Sequence, residues 1–555
     1  MTPAPTRPFA HTRRLLAAAS ALMIGMGVAA TSSDAPAHAV APPADGVFYV
    51  LEARQGYLNR PIAAGIRQVT YDERTNSISA DNILLGGELI DLPVKDGTSN
   101  LLRDNANALG VSSDGMFYFT TQLGSESQVG TIDIWSVELV EAPSEAHPQG
   151  VLGTPTRVAE NFQLNSRGGG NINGGAVNPR DGAYYFMYLS NFTSETSATS
   201  AGVSDPSRWA EAVRAHLYRY DPHQVSLGNV ATGEVAHIDF FKNSAVNLAL
   251  PQLLNGDITF DSSGNLILVT SVLHDATKSG GPGPAMMATF DYADFGHLPN
   301  IDPREDARPV PTIAPAATIG AAGQPTVYNA HAGAAYNGLA FTRSGKLIVE
   351  QGNTHTITNP VDFSALGPNQ ANGVKSPDVS WVDLATHTGP PTLSVQVDLQ
   401  TDRGASEQFT ISGTQTLGSG SVHTFEPATT SGTGRGLQAA RIGALPILAD
   451  GTLDLSLDAT GPISRFAVTV QCTTGVGDTA FASASASQIS LKIADAPATA
   501  TMGAQISCVF TVRDQELAAT GLSTSGLAIG AGALALLAAG GVLLAVRTRA
   551  IRRPH

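Results

Sequence analysis

The sequence has few of the residues that build charged helices or nucleic-acid surfaces. Only 14% of its 555 residues are charged, and 32 Lys and Arg stand against 47 Asp and Glu. This shortage of basic residues argues against a nucleic acid as a partner. Helical periodicity is nearly absent, whereas 57 Gly and 33 Pro favour strands and turns. The composition therefore predicts an all-β protein.

The common catalytic motifs are also missing. The sequence contains no His-Glu-x-x-His, no Gly-x-Ser-x-Gly, no phosphate-binding loop and no Cys-x-x-Cys. The histidines are scattered, and none shows the spacing of metal ligands. No catalytic residue is assigned from motifs.

The first 39 residues have the three parts of an export signal. Arg13 and Arg14 form a cationic segment, residues 15–30 are apolar, and residues 37–39 read Ala-His-Ala, a small-x-small cleavage site. We expect residues 1–39 to be a signal peptide cleaved after Ala39, which makes the protein secreted. The alternative is an uncleaved membrane anchor.

A second apolar segment lies near the other end of the chain. Residues 527–546 carry no charge and are long enough to cross a bilayer as one helix. Four Arg follow in residues 547–555, which predicts a cytoplasmic basic tail. The expected topology is a single transmembrane helix with the bulk of the chain outside the cell.

A short motif precedes this segment, within a linker at residues 515–526. Leu517, Ala518, Ala519, Thr520 and Gly521, followed by an apolar span and basic residues, resemble a sortase cell-wall sorting signal. The usual form is Leu-Pro-x-Thr-Gly, and Leu-Ala-x-Thr-Gly resembles the variant read by class E sortases of high-GC Gram-positive bacteria. The resemblance implies cleavage after Thr520 and transfer of its carboxyl group to a cell-wall peptidoglycan precursor. The alternative is a plain membrane tail.

Four stretches of the sequence repeat one pattern. Each has Asn, a small residue, an apolar residue, a polar turn that contains Gly, and then an apolar and aromatic run. This pattern predicts a hairpin in which the turn glycine adopts a positive φ. The stretches lie at 107–121, 173–188, 255–270 and 337–350, and the turn glycines are Gly115, Gly182, Gly264 and Gly345.

Recurrence of such hairpins predicts a β-propeller over residues 40–390, with about five to seven blades. The alternatives are an array of β-sandwiches or a β-helix. The repeats resemble those of NHL-like and regucalcin- or gluconolactonase-like propellers. This resemblance implies blade architecture and says little about activity.

The resemblance to gluconolactonase-like propellers also implies candidate metal ligands. In that family a divalent cation lies in the central channel, and Asn337 matches one of its ligands. Asn173, Asn255 and Asp257 are expected to face the same channel, where oxygen ligands suit Ca²⁺ or Mg²⁺. The alternative, which recurrence of Asn in every repeat favours, is that these residues cap turns or tie neighbouring blades.

Residues 391–514 form a different region, which begins after Pro390. Period-two alternation separated by Gly and Thr turns predicts an antiparallel β-sandwich. Both cysteines, Cys472 and Cys508, lie here, and in an exported chain such a pair predicts a disulfide. The region resembles prealbumin-like, Cna B-type modules. Many of those carry a Lys–Asn isopeptide bond, but with Lys492 as the only lysine and no Asn in 392–520 only a Lys–Asp bond is left open.

The sequence favours a cell-wall-anchored surface protein of a Gram-positive actinobacterium, which displays a propeller for ligand binding or adhesion to an unknown extracellular ligand. The alternative is a metal-dependent propeller hydrolase or lactonase held at the cell surface, and a structural component of the wall also fits. Non-equivalent carboxylates that converge on the channel would favour the enzyme. The sequence shows only equivalent Asn, which favours a binding protein.

Overall fold

A computed structural model describes most of the chain between Val47 and Asp514. The described residues are 47–55, 61–72, 75, 77–83, 106–122, 131–141, 151–164, 170–190, 214–227, 230–238, 252–273, 282–302, 308–315, 317–318, 338–351, 354–361, 365–367, 370–371, 379–401, 407–475, 480–498 and 503–514. The predicted signal peptide, sorting motif, transmembrane helix and basic tail lie outside these residues and stay predictions. Among the described residues, no helix is both long enough and apolar enough to cross a membrane.

Residues 47–385 are built from short strands, which confirms the all-β prediction. The strands are β1 (Val47–Gln55), β2 (Pro61–Asp72), β3 (Ser77–Ile83), β4 (Ala106–Val111), β5 (Met116–Gln122), β6 (Thr131–Glu141), β7 (Val151–Leu152), β8 (Thr156–Gln163), β9 (Gly170–Val177), β10 (Tyr184–Ser190), β11 (Arg214–Tyr220), β12 (Thr232–Ile238), β13 (Gln252–Phe260), β14 (Leu266–Leu273), β15 (Pro282–Phe290), β16 (Thr312–Ile313), β17 (Ala317–Thr318), β18 (Gly338–Phe341), β19 (Leu347–Gln351), β20 (Thr354–Thr358), β21 (Gln370–Ala371) and β22 (Val379–Ala385). Two short α-helices, α1 (Pro222–Leu227) and α2 (Tyr292–Phe295), lie between strands.

These strands form five sheets. Sheet 1 has the order β22-β1-β2-β3; sheet 2 is β4-β5-β6, with β7 and β8 both on β6; sheet 3 is β9-β10-β11-β12-β16; sheet 4 is β13-β14-β15-β17; sheet 5 is β18-β19-β20-β21. Sheets 2 to 5 each begin with one of the predicted hairpins. The four turn glycines have φ between 71° and 93°, so the predicted backbone conformation is confirmed at every one.

The two ends of this region meet in sheet 1. Strand β22 pairs antiparallel with β1, and Leu51 lies opposite Asp383. Sheet 1 is therefore completed by the last strand of the region and the first three. In sheets 2 to 5, the first strand of the hairpin lies at one edge of the sheet, and β22 holds the same edge position in sheet 1. We call these five edge strands the leading strands: β22, β4, β9, β13 and β18.

The leading strands lie against one another in the cyclic order β22, β4, β9, β13, β18 and back to β22. The apolar core follows the same order, since it consists of five separate clusters. Each cluster lies between two neighbouring sheets. The fifth, which includes Trp381, Phe48 and Ile348, joins sheet 5 to sheet 1.

Residues 392–514 form the predicted two-sheet sandwich, but it is not wholly antiparallel, because its first and last strands pair in parallel. Its strands are β23 (Thr392–Leu399), β24 (Phe409–Thr416), β25 (Val422–Thr424), β26 (Ala428–Thr429), β27 (Gly436–Pro446), β28 (Thr452–Ala459), β29 (Phe466–Thr474), β30 (Ala480–Ala484), β31 (Gln488–Lys492) and β32 (Gln505–Asp514), with 3₁₀ turns at Ile463–Arg465 and Ile493–Asp495. One sheet has the order β27-β23-β32-β29-β30. The other is β25-β24-β28-β31, with β26 on β24.

The sandwich has one continuous core, to which both cysteines belong. Cys472 on β29 lies opposite Cys508 on β32, and the two form a disulfide, as predicted. Lys492 lies at the end of β31 and is exposed, so its amine is outside this core.

The sandwich packs against the hairpin turns of the five-sheet region. We define the turn face as the turns at 178–183, 261–265 and 342–346. The first two of these are joined by the Asn178 side chain, whose Nδ2 donates to the carbonyl of Gly264 at 3.0 Å.

Two turns of this face contact the sandwich directly. The hydroxyls of Ser263 and Thr392 lie 2.9 Å apart. The N–H of Ala449 donates to the carbonyl of Ser344 at 2.7 Å. The contacts come from sheets 4 and 5, so the sandwich is seated on the turn face and not on the far ends of the strands.

Candidate functional site

The structure describes the side chains of two of the four predicted metal ligands. Asn337 and the side chain of Asn255 lie outside the described residues. Asn173 on β9 and Asp257 on β13 are both buried. The carboxyl group of Asp257 accepts the N–H of Ile258 at 2.6 Å and that of Leu339 on β18. Asp257 therefore ties the leading strand of sheet 4 to that of sheet 5.

The same device occurs at other leading strands. Asp383 on β22 accepts the N–H of its neighbour Leu384 at 2.7 Å and that of Leu109 on β4 at 2.6 Å. Asn107 on β4 accepts the next N–H along its own strand at 2.7 Å and donates to the carbonyl of Ile172 on β9 at 2.9 Å. These contacts favour the interpretation that the polar residues tie neighbouring sheets.

Asp257 and Asp383 are also hydrogen-bonded to each other. Burial raises the pKa of Asp257 well above its usual range, and the charge of Asp383 raises it further. Both effects favour the protonated form of a carboxyl group in this pair. This corrects the expectation that only equivalent Asn converge here, because two carboxyl groups do. Both residues are buried, and their carboxyl oxygens accept hydrogen bonds from backbone N–H groups. The pair therefore links neighbouring strands inside the protein.

A second polar cluster was not expected from the sequence. His216 on β11 and Glu234 and His237 on β12 place three ligand atoms within 4.8 Å of one another. His216 Nδ1 lies 2.6 Å from Glu234 Oε1, and His237 Nε2 lies 2.9 Å from the same oxygen. The two imidazole rings are 4.9 Å apart and nearly perpendicular. We call these three residues the His–Glu–His cluster.

A β-bulge brings the cluster together. His216 pairs with His237, but Tyr218 pairs with Glu234, so β12 has one extra residue at Val235. In a regular strand, residues three apart point to opposite faces. The extra residue places Glu234 and His237 on one face. This is why the sequence alone gave no metal-ligand spacing for His216 and His237.

Neighbouring strands enclose the cluster. His216 lies opposite Tyr188 on β10, and His237 lies beside Thr312 on β16. The N–H of Glu234 donates to the carbonyl of Ile301 at 2.9 Å. The side chains of His216, Glu234 and His237 are 7%, 0% and 13% exposed, so the cluster is largely buried.

Electrostatics keeps the glutamate ionised. Burial alone would raise the pKa of Glu234, but the hydrogen bond with His216, the close contact of His237 and the charge of both rings outweigh it and lower the pKa to about 2. Two imidazole nitrogens and one carboxylate are the donor set that first-row transition metals such as Zn²⁺ prefer. Ca²⁺ and Mg²⁺, which were expected in the channel, prefer oxygen donors throughout.

A comparison with protein-family models identifies the type of domain formed by the second region. A family model described as a prealbumin-like fold domain matches residues 392–513. The chain therefore contains a prealbumin-like domain, as its sequence predicted. No curated protein matches the chain in a sequence comparison.

Solved structures resemble the chain only weakly. The endo-arabinase from Bacteroides thetaiotaomicron VPI-5482 is 9% identical, with 60% of this chain and 91% of that chain covered and a TM-score of 0.29. The Hadza microbial sialidase Hz136 is 11% identical over 87% and 91%, with a TM-score of 0.28. The major pilin from Streptococcus pyogenes is 10% identical over 50% and 95%, with a TM-score of 0.15. At these scores the similarities support no argument about this chain.

Proposed function

We propose that the protein is a surface protein of the cell envelope, which displays a five-bladed β-propeller on a prealbumin-like stalk and is joined to the wall by a sortase through Thr520. The observation that carries the proposal is the direction of β23 and β32 in the stalk. These strands place the chain's exit from the sandwich at the end remote from the five sheets.

The propeller is supported by the ring of leading strands and by the five apolar clusters between neighbouring sheets. Five sheets agree with the lower end of the predicted range of blades. Pairing of β22 with β1 joins the two ends of the region in one blade. In a closed propeller this pairing would join the first and last strands of the ring.

The stalk is supported by the register of its first and last strands. Thr392, at the start of β23, contacts the turn face through Ser263. Strand β32 runs parallel to β23 over the whole of its length, with Thr392 opposite Gln505 and Leu399 opposite Val512. Both strands therefore lead away from the turn face, over about 25 Å for eight residues.

Wall attachment is supported by the position at which β32 ends. Its last residue, Asp514, contacts the hydroxyl of Thr401 at the far end of the sandwich. The predicted sorting motif begins at Leu517. Wall, stalk and propeller are then arranged in series, with the turn face towards the wall.

The surface that meets the exterior is then the opposite end of the propeller. Strand β10 runs away from its turn and β11 returns towards it, so Ser190 and Arg214 lie at that far end. Strands β3, β12 and β17 also run away from the turn face. Connections as long as those between these strands and the next commonly carry binding residues, which supports a role in ligand binding or adhesion.

The test of attachment is Thr520→Ala in the native host, with Thr524→Ala as the matched control. We expect Thr520→Ala to move the protein from the covalent wall fraction to the membrane and medium, because the acyl donor for transfer is gone. Thr524→Ala should be wall-bound like the wild type. Wall retention of the Thr520→Ala protein at wild-type level would refute sortase attachment and favour a plain membrane tail.

The test of display is accessibility on intact cells. Single cysteines placed at exposed Ser419 in the stalk and at exposed Leu227 on α1 are labelled with a bulky thiol reagent. Both lie outside the cytoplasm in this proposal, so both should react without lysis. Protection of both until the cells are broken would contradict surface display.

A further inference from the structure

We infer that the His–Glu–His cluster is a binding site for one divalent first-row transition metal ion, and that Zn²⁺ is its expected occupant. This goes beyond the proposed function, since neither display nor wall attachment needs a metal. The site lies on β11 and β12, the third and fourth strands of sheet 3. It is distinct from the leading strands, where the sequence suggested Ca²⁺ or Mg²⁺.

The first argument is the spacing of the donor atoms. A tetrahedral ion bound at about 2.0–2.2 Å from each ligand holds its donors roughly 3.3–3.5 Å apart. The two imidazole nitrogens lie 2.6 and 2.9 Å from Glu234 Oε1. Metal binding therefore requires each imidazole nitrogen and Glu234 Oε1 to move apart by less than about 1 Å.

The second argument is a nitrogen that lacks a hydrogen bond. His237 Nε2 is buried and makes no hydrogen bond, although it lies 2.9 Å from Glu234 Oε1. It is close enough for an ion pair, but it is not aligned for a hydrogen bond. A metal ion between the three donors would use the lone pair of that nitrogen.

The third argument is the rigidity of the support. The ligands come from two adjacent strands, and the bulge at Val235 sets their common face. Segments that include Ile301 and Thr312 hold β12 from its other side. Sites built on strands keep their ligands in place better than sites on loops.

Three protein donors leave one position of a tetrahedral ion for a non-protein ligand such as water. Glu234 is fully buried, and the His237 side chain is the most exposed of the three at 13%. Three protein ligands with one exchangeable position is the arrangement of Zn²⁺ sites that keep an open position.

The experiment uses the full-length protein, stripped with a chelator and then titrated with Zn²⁺ in the presence of a competing indicator. Wild type should bind one tight equivalent. His237→Gln and His216→Gln should each lower the affinity at least tenfold. His223→Gln is the matched control, because His223 is exposed on α1 of the same sheet region, and it should bind like the wild type.

Co²⁺ provides a readout that needs no variant. In the wild type it should give the strong visible absorption of a four-coordinate site, and added Zn²⁺ should remove it. Absence of a tight Zn²⁺ equivalent and of this spectrum in the wild type would overturn the inference, whether or not the variants fold. Unchanged Zn²⁺ affinity in a folded His237→Gln protein would also overturn it.

Discussion

The carboxyl groups of Asp257 and Asp383 are hydrogen-bonded to each other in the interior of the five-sheet region. Each also accepts a backbone N–H from a neighbouring leading strand, Leu339 for Asp257 and Leu109 for Asp383. Four leading strands, β13, β18, β22 and β4, are thus joined through one pair of side chains. The hydrogen bonds of the pair therefore connect neighbouring sheets.

Replacement of Asp257 by Ala should destabilise the five-sheet region. The substitution leaves the N–H groups of Ile258 and Leu339 without their acceptor and removes the partner of Asp383. Unsatisfied buried groups of this kind cost about 1–3 kcal/mol each, so we expect a loss of about 3 kcal/mol or more. Urea unfolding followed by tryptophan fluorescence measures it.

The matched control for this prediction is Asp294→Ala. Asp294 is exposed on α2, and its replacement should change the free energy of unfolding by no more than about 0.5 kcal/mol. Equal effects of the two substitutions would show that Asp257 does not tie the strands together.

Asp261 in the turn between β13 and β14 should make stability depend on pH. Burial raises its pKa to about 7, although hydrogen bonds from Asn265 and the Ser263 N–H act in the opposite direction. Since the folded-state pKa exceeds the unfolded value of about 4, the folded state holds the proton more tightly. The stabilising contribution is complete below about pH 4 and is lost as the pH rises to about 7.

The measurement is the difference in unfolding free energy between wild type and Asp261→Asn across this pH range. Removing the titrating group should flatten the curve, with a relative change of up to about 4 kcal/mol between about pH 4 and pH 7. Asp294→Asn should leave the wild-type curve in place. Parallel curves for wild type and Asp261→Asn would contradict the prediction.

Much of the local structure could be predicted from the sequence. The turn glycines mark the hairpins because few other residues tolerate their φ values, and all four have positive φ. The disulfide could be predicted because a chain with two cysteines has only one possible intramolecular pair. Alternation of apolar and polar residues likewise gave the sandwich, whose β24 alternates buried and half-buried residues throughout.

The polar clusters could not be predicted, because each depends on register or on contacts between distant parts of the chain. Asp383 belongs to none of the repeats that the sequence shows. It reaches β4 only because β22 pairs with β1. Glu234 and His237 share a face only through an extra residue in β12, and period-two alternation assigns them to opposite faces.

Removal of the disulfide should destabilise the sandwich. Cys472 and Cys508 are separated by 36 residues along the chain, and a loop of this length contributes about 4 kcal/mol in the chain-entropy model. The double substitution Cys472→Ala and Cys508→Ala should lose about this amount in thermal or urea unfolding. Reductant should lower the stability of the wild type and leave the double variant unchanged. Equal stability of the oxidised wild type and the variant would show that the disulfide does not stabilise the sandwich.

The contact between the sandwich and the turn face can be tested by a substitution at Gly345. Its φ is +93°, and a Cβ added there would lie 2.3 Å from the carbonyl oxygen of Ile447 in the sandwich. Gly345→Ala should therefore suffer both the strain of a left-handed conformation and a clash across the interface. Gly420 has nearly the same φ, +85°, but a Cβ added there would meet nothing within 4 Å, so Gly420→Ala isolates the strain.

We expect Gly420→Ala to cost about 1–2 kcal/mol, and Gly345→Ala to cost roughly 1–3 kcal/mol more because the backbone of Ile447 must move. Scanning calorimetry gives both values. It should also show the sandwich and the five-sheet region melting further apart in Gly345→Ala than in the wild type, because the contact that couples them is weakened. Equal costs for the two substitutions, with unchanged coupling of the transitions, would mean that the turn at Gly345 does not support the sandwich in solution.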